Sequence, residues 1–175
     1  MSVNATQIGG THYRSSYQHW DFVSDMGLNY LLGCTTKYVT RYKLKNGVQD
    51  LRKAVHYAEK QLELMAHREA NRDVFYEMTL PPQLSRYTAE VRTERVSNFL
   101  FANFPESKTD EKEALAALVF SILCLPYTEE TNSDVDFECA VEDSLHAAIP
   151  KLRELITIID DEETAAADSA YTNQG

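Results

Sequence analysis

The sequence predicts a mainly α protein with a helical hairpin at its core, and three observations support this prediction. Within residues 48–70 the apolar side chains recur at steps of three and four, namely Val48, Leu51, Val55, Ala58, Leu62 and Met65. An Asn46-Gly47 pair, typical of a helix end followed by a turn, separates this segment from a helical pattern over residues 28–45. Alternating strand patterning is weak and confined to residues 74–80, so we expect no sheet core.

The other elements follow from helix breakers and caps. A short helix begins at Trp20 and ends near Gly27, and the Pro81-Pro82 pair interrupts the helical pattern. A further helix is expected at about residues 84–103, followed by a buried apolar helix over residues 107–125 that Pro126 stops.

The remaining sequence predicts one last helix over residues 132–160, or two helices that meet at Pro150. The chain thus divides into four parts: a glycine-containing arm (1–18), a hairpin core (19–70), a C-terminal helical portion (71–160) and a disordered acidic tail (161–175).

Charge is distributed unevenly along the 175 residues, whose formal net charge is −10. Residues 1–70 carry nine Lys/Arg and six Asp/Glu, a balance of +3, whereas residues 71–175 carry eight and 21, a balance of −13. An acidic protein is repelled by long nucleic acids, so we expect no extended nucleic-acid binding. A basic region within it suits a small anionic ligand such as a nucleotide.

Composition and sequence pattern also indicate the cellular compartment of the protein. No apolar run reaches the roughly 18 residues of a membrane helix, so we expect no membrane partner. The first residues lack the pattern of a secretory signal. Three cysteines without CxxC spacing indicate neither a disulfide framework nor a zinc site, which favours a cytoplasmic protein with reduced thiols.

The basic charge is concentrated on the predicted hairpin. Lys37 and Arg41 are four residues apart and share a helix face, with Tyr38 and Tyr42 on the adjacent row. Beyond the turn, the second helix carries further polar and aromatic side chains on one face: Asp50, Lys53 and Tyr57. Two interpretations stay open, a solvated basic face and an anion-binding surface with rings available for stacking.

The arm contains a second pattern, Gly9-Gly10-Thr11-His12-Tyr13-Arg14. Paired glycines allow a backbone to approach phosphate closely, and His12 and Arg14 are potential phosphate donors. The chain has no glycine-rich loop ending in Lys-Ser or Lys-Thr, so it has no Walker A P-loop. The other histidines, including His19, are interpreted as structural.

Over about residues 8–65, several short blocks of the sequence resemble those of a small family of bacteriophage proteins. The shared blocks read here as Gly9-Gly10-Thr11-His12-Tyr13, Trp20-Asp21-Phe22, Lys37-Tyr38-Val39-Thr40-Arg41-Tyr42, Lys45-Asn46-Gly47 and Asp50-Leu51-Arg52-Lys53-Ala54-Val55-His56-Tyr57. The best-defined members are the nucleotide kinases of T7-like phages, which convert deoxynucleoside monophosphates, chiefly dGMP and dTMP, to diphosphates. The resemblance implies such a kinase, with ATP or a deoxynucleoside triphosphate as donor. It also implies a homo-oligomer larger than a dimer, located in the cytoplasm of the infected bacterial host.

The resemblance and the residue chemistry together imply roles for individual side chains. The predicted catalytic residues are Lys37, Arg41, Lys53 and His12. The predicted nucleotide-binding residues are Gly9, Gly10, Tyr13, Arg14, Tyr38, Tyr42, Lys45, Arg52 and Asp50. Asp21 is a potential magnesium ligand, and dependence on Mg²⁺ stays open. Asp50 has an alternative role, since an acid in the first turn of a helix is stabilised by the helix dipole.

The sequence also bears on two other function classes. All-α nucleoside triphosphate pyrophosphatases present several acidic faces to magnesium, but this hairpin has Lys and Arg at those places, so this class is disfavoured. A non-catalytic nucleotide-binding protein, or an inhibitor of a host protein, is the alternative to the kinase.

Overall fold

The computed structural model describes residues 15–70, 87–130 and 134–172. Six α-helices make up most of these residues. In chain order they are α1 (His19–Met26), α2 (Tyr30–Arg41), α3 (Val48–Ala70), α4 (Ala89–Asn103), α5 (Glu111–Thr128) and α6 (Asp134–Thr172). A short 3₁₀ turn, Tyr42–Leu44, follows α2. These residue ranges contain no strand, so the prediction of a mainly α fold is confirmed.

Side-chain caps mark the beginnings of three helices. Asn29, Thr88 and Asp110 each accept a hydrogen bond from a backbone N–H in the first turn of α2, α4 and α5, respectively. Gly27 ends α1 with a φ of 67°, a left-handed conformation that glycine adopts without steric penalty.

The turn between α2 and α3 has the predicted form. Gly47 has a φ of 52°, and its backbone N–H donates to the carbonyl of Tyr42 at 2.9 Å. This closes the connection and directs α3 back along α2. The predicted antiparallel hairpin is therefore present.

Four helices form a bundle around the main core. α2 packs on α3, α3 on α6, α6 on α5, and α5 back on α2. α4 packs on α5, and α1 lies against α4. The rings of Phe22, Phe99 and Phe120 join these outer helices to the bundle, with centroid separations of 4.4 Å from Phe22 to Phe99 and 4.8 Å from Phe99 to Phe120.

Pro126 and Pro150 both lie inside helices, so of the two alternatives at Pro150 the single helix is the one present. Pro126 lies two residues before the end of α5, so the prediction that it stops the helix was wrong. Pro150 lies within a continuous α6. Pro150 and His146 are both exposed, so the His146 carbonyl that loses its helical hydrogen bond lies on the hydrated side of α6.

The acidic tail is also helical, which corrects the prediction of disorder for residues 161–175 as far as Thr172. Side chains 161–171 are all exposed, and an ion pair between Lys112 and Glu162, not apolar packing, joins α5 to the start of this part of α6. Its alanines and glutamates are good helix formers that extend the packed portion of the helix. Across the described ranges, no helix combines the length and apolarity needed to span a bilayer.

Candidate functional site

One face of α2 carries a row of aromatic, cysteine and cationic side chains. Tyr30, Cys34, Lys37 and Arg41 follow one another at steps of four, three and four residues, which places them on one stripe of the helix. Tyr30 at the start of the stripe is 73% exposed. Interactions with the Tyr57 and Cys34 side chains raise the pKa of the Tyr30 hydroxyl to about 12.

A matching row lies on α3. Asp50, Lys53, Tyr57 and Gln61 occur at steps of three, four and four residues, again on one stripe. Because α3 runs antiparallel to α2, Asp50 at the start of the α3 stripe lies beside Arg41 at the end of the α2 stripe. The two stripes therefore pair from the turn outward.

At the turn end, Arg41 and Asp50 form an ion pair. Arg41 Nε donates to Asp50 Oδ2 at 2.9 Å, Asp50 is fully buried, and Arg41 is 8% exposed. Asn46 Nδ2 and Lys53 Nζ donate to Asp50 Oδ1 at 3.0 and 3.1 Å. Burial by itself would raise the pKa of Asp50, but the hydrogen bonds from Asn46, Arg41 and Lys53 outweigh it and hold the pKa below its usual value.

The ring of Tyr38 lies beside the α2 stripe and has three cations around it. Its centroid is 4.7 Å from Arg41 Cζ, 4.8 Å from Lys37 Nζ and 5.4 Å from Lys53 Nζ. The ring also stacks on Tyr57, with centroids 5.7 Å apart and an interplanar angle of 25°. We call these five residues, Lys37, Tyr38, Arg41, Lys53 and Tyr57, the cation–aromatic cluster.

Not all residues predicted for the site join this cluster. Tyr42 is buried in the core, where its ring is not available to a ligand, and its hydroxyl has no hydrogen-bond partner among the described residues. Lys45 is exposed at the turn, and Arg52 binds Asp160 of α6 at 2.7 Å. Asp21 lies in the first turn of α1. The predicted arm residues lie outside the described part of the chain: Gly9, Gly10, His12, Tyr13 and Arg14.

Carboxylates from the C-terminal portion neutralise some of the hairpin cations. Lys43 binds Glu106 at 2.9 Å and Asp110 at 2.8 Å. Lys37 differs, because it has no carboxylate within ion-pair distance in the described ranges and contacts instead the Tyr38 ring and Cys34 Sγ. The positive charge of Lys37 is thus not compensated by a neighbouring acid of the described chain.

His19 of α1 lies against α2, close to Lys37 and Arg41 of the cluster. The spacing of these residues along the chain did not predict that they would be close. His19 Nε2 is 2.9 Å from Thr36 Oγ1, and the His19 ring meets the edge of Phe99. Because the Thr36 hydroxyl donates to the Leu32 carbonyl, we assign His19 Nε2–H as the donor to Thr36. Burial, with the charges of Lys37 and Arg41, lowers the pKa of His19 to about 3, so the ring is neutral near pH 7.

A depression of about 520 Å³ lies elsewhere, between Ser16-Tyr17 and α4. Arg95 lines it, but Asp25 pairs with this guanidinium and also accepts a hydrogen bond from Tyr17 Oη at 2.7 Å. The Arg95 guanidinium in this depression is therefore already paired with the Asp25 carboxylate. Across the described ranges, no group of three or more His, Cys, Asp or Glu side chains is arranged to hold a metal ion.

Loss of the buried Asp50 carboxylate should strongly destabilise the fold. Asp50→Ala leaves the Arg41 guanidinium buried without its counter-charge, and we expect a decrease of about 3–5 kcal/mol in the free energy of unfolding. Lys53→Ala is the control, because the Lys53 side chain is 45% exposed and its ion pair contributes at most about 1 kcal/mol. Denaturant titration measures both, and equal stabilities would contradict a structural role for the Arg41–Asp50 pair.

The neutral His19 ring should make stability depend on pH. Since its folded-state pKa lies below the ordinary value of 6.5, the unfolded chain binds more protons between about pH 6.5 and 3. Stability contributed by His19 is complete above that window and falls as the pH decreases through it, by at most about 1.4 kcal/mol per pH unit. His19→Gln, which keeps a side-chain donor for Thr36, should show a shallower loss between pH 7 and 5 in denaturant titrations. Identical slopes would show that His19 is readily protonated in the folded state.

The comparisons with known proteins concern this same part of the chain. A family described as a protein of unknown function, DUF3310, matches residues 10–59. No curated protein and no solved structure matches the chain. The matched segment is similar to that family from the arm through α1 and α2 into α3, and it contains every residue of the cation–aromatic cluster.

Proposed function

We propose that this protein is a nucleotide kinase that transfers a phosphoryl group from ATP or a deoxynucleoside triphosphate to a deoxynucleoside monophosphate, dTMP or dGMP. The observation that carries the proposal is the cation–aromatic cluster, in which Lys37, Arg41 and Lys53 surround the Tyr38–Tyr57 stack. Nucleotides combine phosphates, which cations neutralise, with a base that stacks on aromatic rings. The phage resemblance supports the choice of reaction and a location in the cytoplasm of the infected host.

In this reaction a phosphate oxygen of the monophosphate attacks the γ-phosphorus of the donor. A new P–O bond forms while the bond from the γ-phosphorus to the β–γ bridging oxygen breaks, and both products are diphosphates. The main tasks of the protein are to hold the two phosphates in line and to neutralise their charge. Lys37 and Lys53 suit these tasks because both residues are at least partly exposed to solvent.

Arg41 contributes in another way. Its guanidinium is paired with Asp50, which also binds Lys53, so Arg41 and Asp50 hold the Lys53 ammonium in the cluster before a ligand binds rather than contact substrate themselves. Dependence on Mg²⁺ stays open in this proposal, and Asp50 is not proposed as a ligand because its carboxylate already accepts hydrogen bonds from three side chains.

A non-catalytic nucleotide-binding protein is the second proposal. The burial of Arg41 favours it, since two partly exposed lysines are sufficient to bind an anion but are a small set for catalysis. Formation of diphosphate product distinguishes the two proposals.

We also propose that the chain forms a homo-oligomer larger than a dimer. α5 has no charged residue from Ala114 to Thr128, yet Leu118 and Leu125 on its outer face are 45% and 50% exposed. An uncharged apolar helix face is a place where copies of an acidic protein can meet with little electrostatic repulsion. Association would also allow a neighbouring copy to complete the nucleotide site.

Removal of the Lys37 charge should reduce turnover without unfolding the protein. The purified protein, incubated with labelled triphosphate and a panel of monophosphates with and without EDTA, should form diphosphate. We expect Lys37→Ala to lower the rate by roughly 10- to 150-fold, the effect of losing a charge-assisted hydrogen bond of about 1.5–3 kcal/mol. Alanine is the best helix former, so α2 should remain intact.

The matched control is Lys112→Ala. Lys112 lies on α5, away from the cluster, and its side chain pairs with Glu162 of α6. This variant should keep wild-type turnover. If wild-type protein forms no diphosphate under any condition, the kinase proposal fails. If Lys37→Ala and Lys112→Ala are equally active, the cluster is not the phosphate site.

Charges placed on the outer face of α5 should dissociate the oligomer. Static light scattering of the wild type should give a mass more than twice that of the 19.9 kDa chain. The double variant Leu118→Glu/Leu125→Glu should return the mass of one chain, because buried carboxylates at a contact are unfavourable. Tyr171→Glu, at an exposed residue near the end of α6, should retain the wild-type mass. A wild-type mass of one chain at micromolar concentration would refute the oligomer.

A further inference from the structure

The ring of Tyr38 is poorly placed to receive a base. Tyr57 stacks against it, and three cationic groups lie within 5.4 Å of its centroid. A base would have to displace one of these neighbours before it could stack there. Tyr42 is excluded by its burial. Neither tyrosine of the Lys-Tyr-x-x-Arg-Tyr block therefore offers a free ring face.

Tyr30 does offer one. It is the first residue of α2, its side chain is 73% exposed, and its ring meets the edge of Tyr57 at a centroid distance of 6.2 Å and an angle of 76°. The three rings Tyr38, Tyr57 and Tyr30 thus form a continuous row that leads from the cations to solvent.

The backbone that carries Tyr30 is held in place. The Asn29 side chain caps α2 by accepting the Leu32 N–H at 3.0 Å, and its Nδ2 donates to Oε1 of the buried Gln61 at 3.1 Å. This contact fixes the start of α2 against α3. Tyr30 is consequently a ring with a free face on an anchored backbone, which lowers the entropy lost when a ligand stacks on it.

We propose that Tyr30, backed by Tyr57, stacks on the nucleotide base while Lys37 and Lys53 bind its phosphates. This inference rests on the proposed nucleotide function and adds the base subsite and the ligand orientation to it. Tyr30 and Lys37 are two helical turns apart, about 10 Å along α2, a separation compatible with a nucleoside triphosphate stretched between its base and its terminal phosphate. Stacking on a tyrosine accepts any nucleobase, so the subsite would take both the purine and the pyrimidine substrates.

Calorimetric titration with two ligands tests the assignment: dGTP, which has a base, and inorganic tripolyphosphate, which has none. Tyr30→Ala should weaken dGTP binding by about 5- to 100-fold and leave tripolyphosphate binding unchanged. Tyr30→Phe should bind dGTP within about twofold of wild type, because the stacking face is retained. Lys37→Ala should weaken both ligands.

The outcomes separate this inference from the proposed function. If wild-type protein binds neither ligand, the nucleotide function fails and the base subsite with it. If wild-type protein binds dGTP and Tyr30→Ala binds it equally well, only the base subsite is overturned. Equal weakening of dGTP and tripolyphosphate by Tyr30→Ala would also overturn it, since the residue would then act on the phosphates or on the fold.

Discussion

The buried ion pair between Arg41 and Asp50 at the closed end of the hairpin is the constraint from which the rest of the site follows. Removing two charges from water is unfavourable unless further hydrogen bonds satisfy them, and Asn46 and Lys53 provide these to the carboxylate. A shift of one helix against the other would leave a buried charge without its partner. We infer that the pair sets the register of α2 and α3, which then places Tyr38 beside Lys53 and Tyr57.

Charge compensation by the C-terminal portion determines which cations remain at the surface for a ligand. The acidic residues of α5 and α6, and those before α5, bind hairpin cations that are not part of the cluster, such as Lys43 with Asp110 and Arg52 with Asp160. Lys37 contacts the Tyr38 ring and has no acid within ion-pair distance in the described part of the chain. A protein with a net charge of −10 thereby retains a local cationic surface suited to a small anion.

Sequence periodicity was sufficient to predict the hairpin, its Asn46-Gly47 turn and the shared face of Lys37 and Arg41, because these depend on local geometry. It was not sufficient to distinguish Tyr38 from Tyr42, which lie almost in line on the helix, since the burial of Tyr42 depends on packing against other helices. The same holds for Arg52 and Lys53: only the position of α6 determines that Arg52 binds Asp160. Helix continuity through Pro150 likewise depended on which side of α6 faces solvent.

The cations of the cluster also differ in how firmly their side chains are held. The Arg41 guanidinium is planar, buried and held by Asp50, so it acts as part of the scaffold. Lys53 reaches the same buried carboxylate from a side chain that is 45% exposed, so water competes with Asp50 for the Lys53 ammonium group. In the proposed function, a bound phosphate would draw the Lys53 ammonium away from Asp50, which would keep its hydrogen bonds from Arg41 and Asn46. The hairpin can thus exchange one ion pair for a ligand contact without breaking the interaction that sets its register.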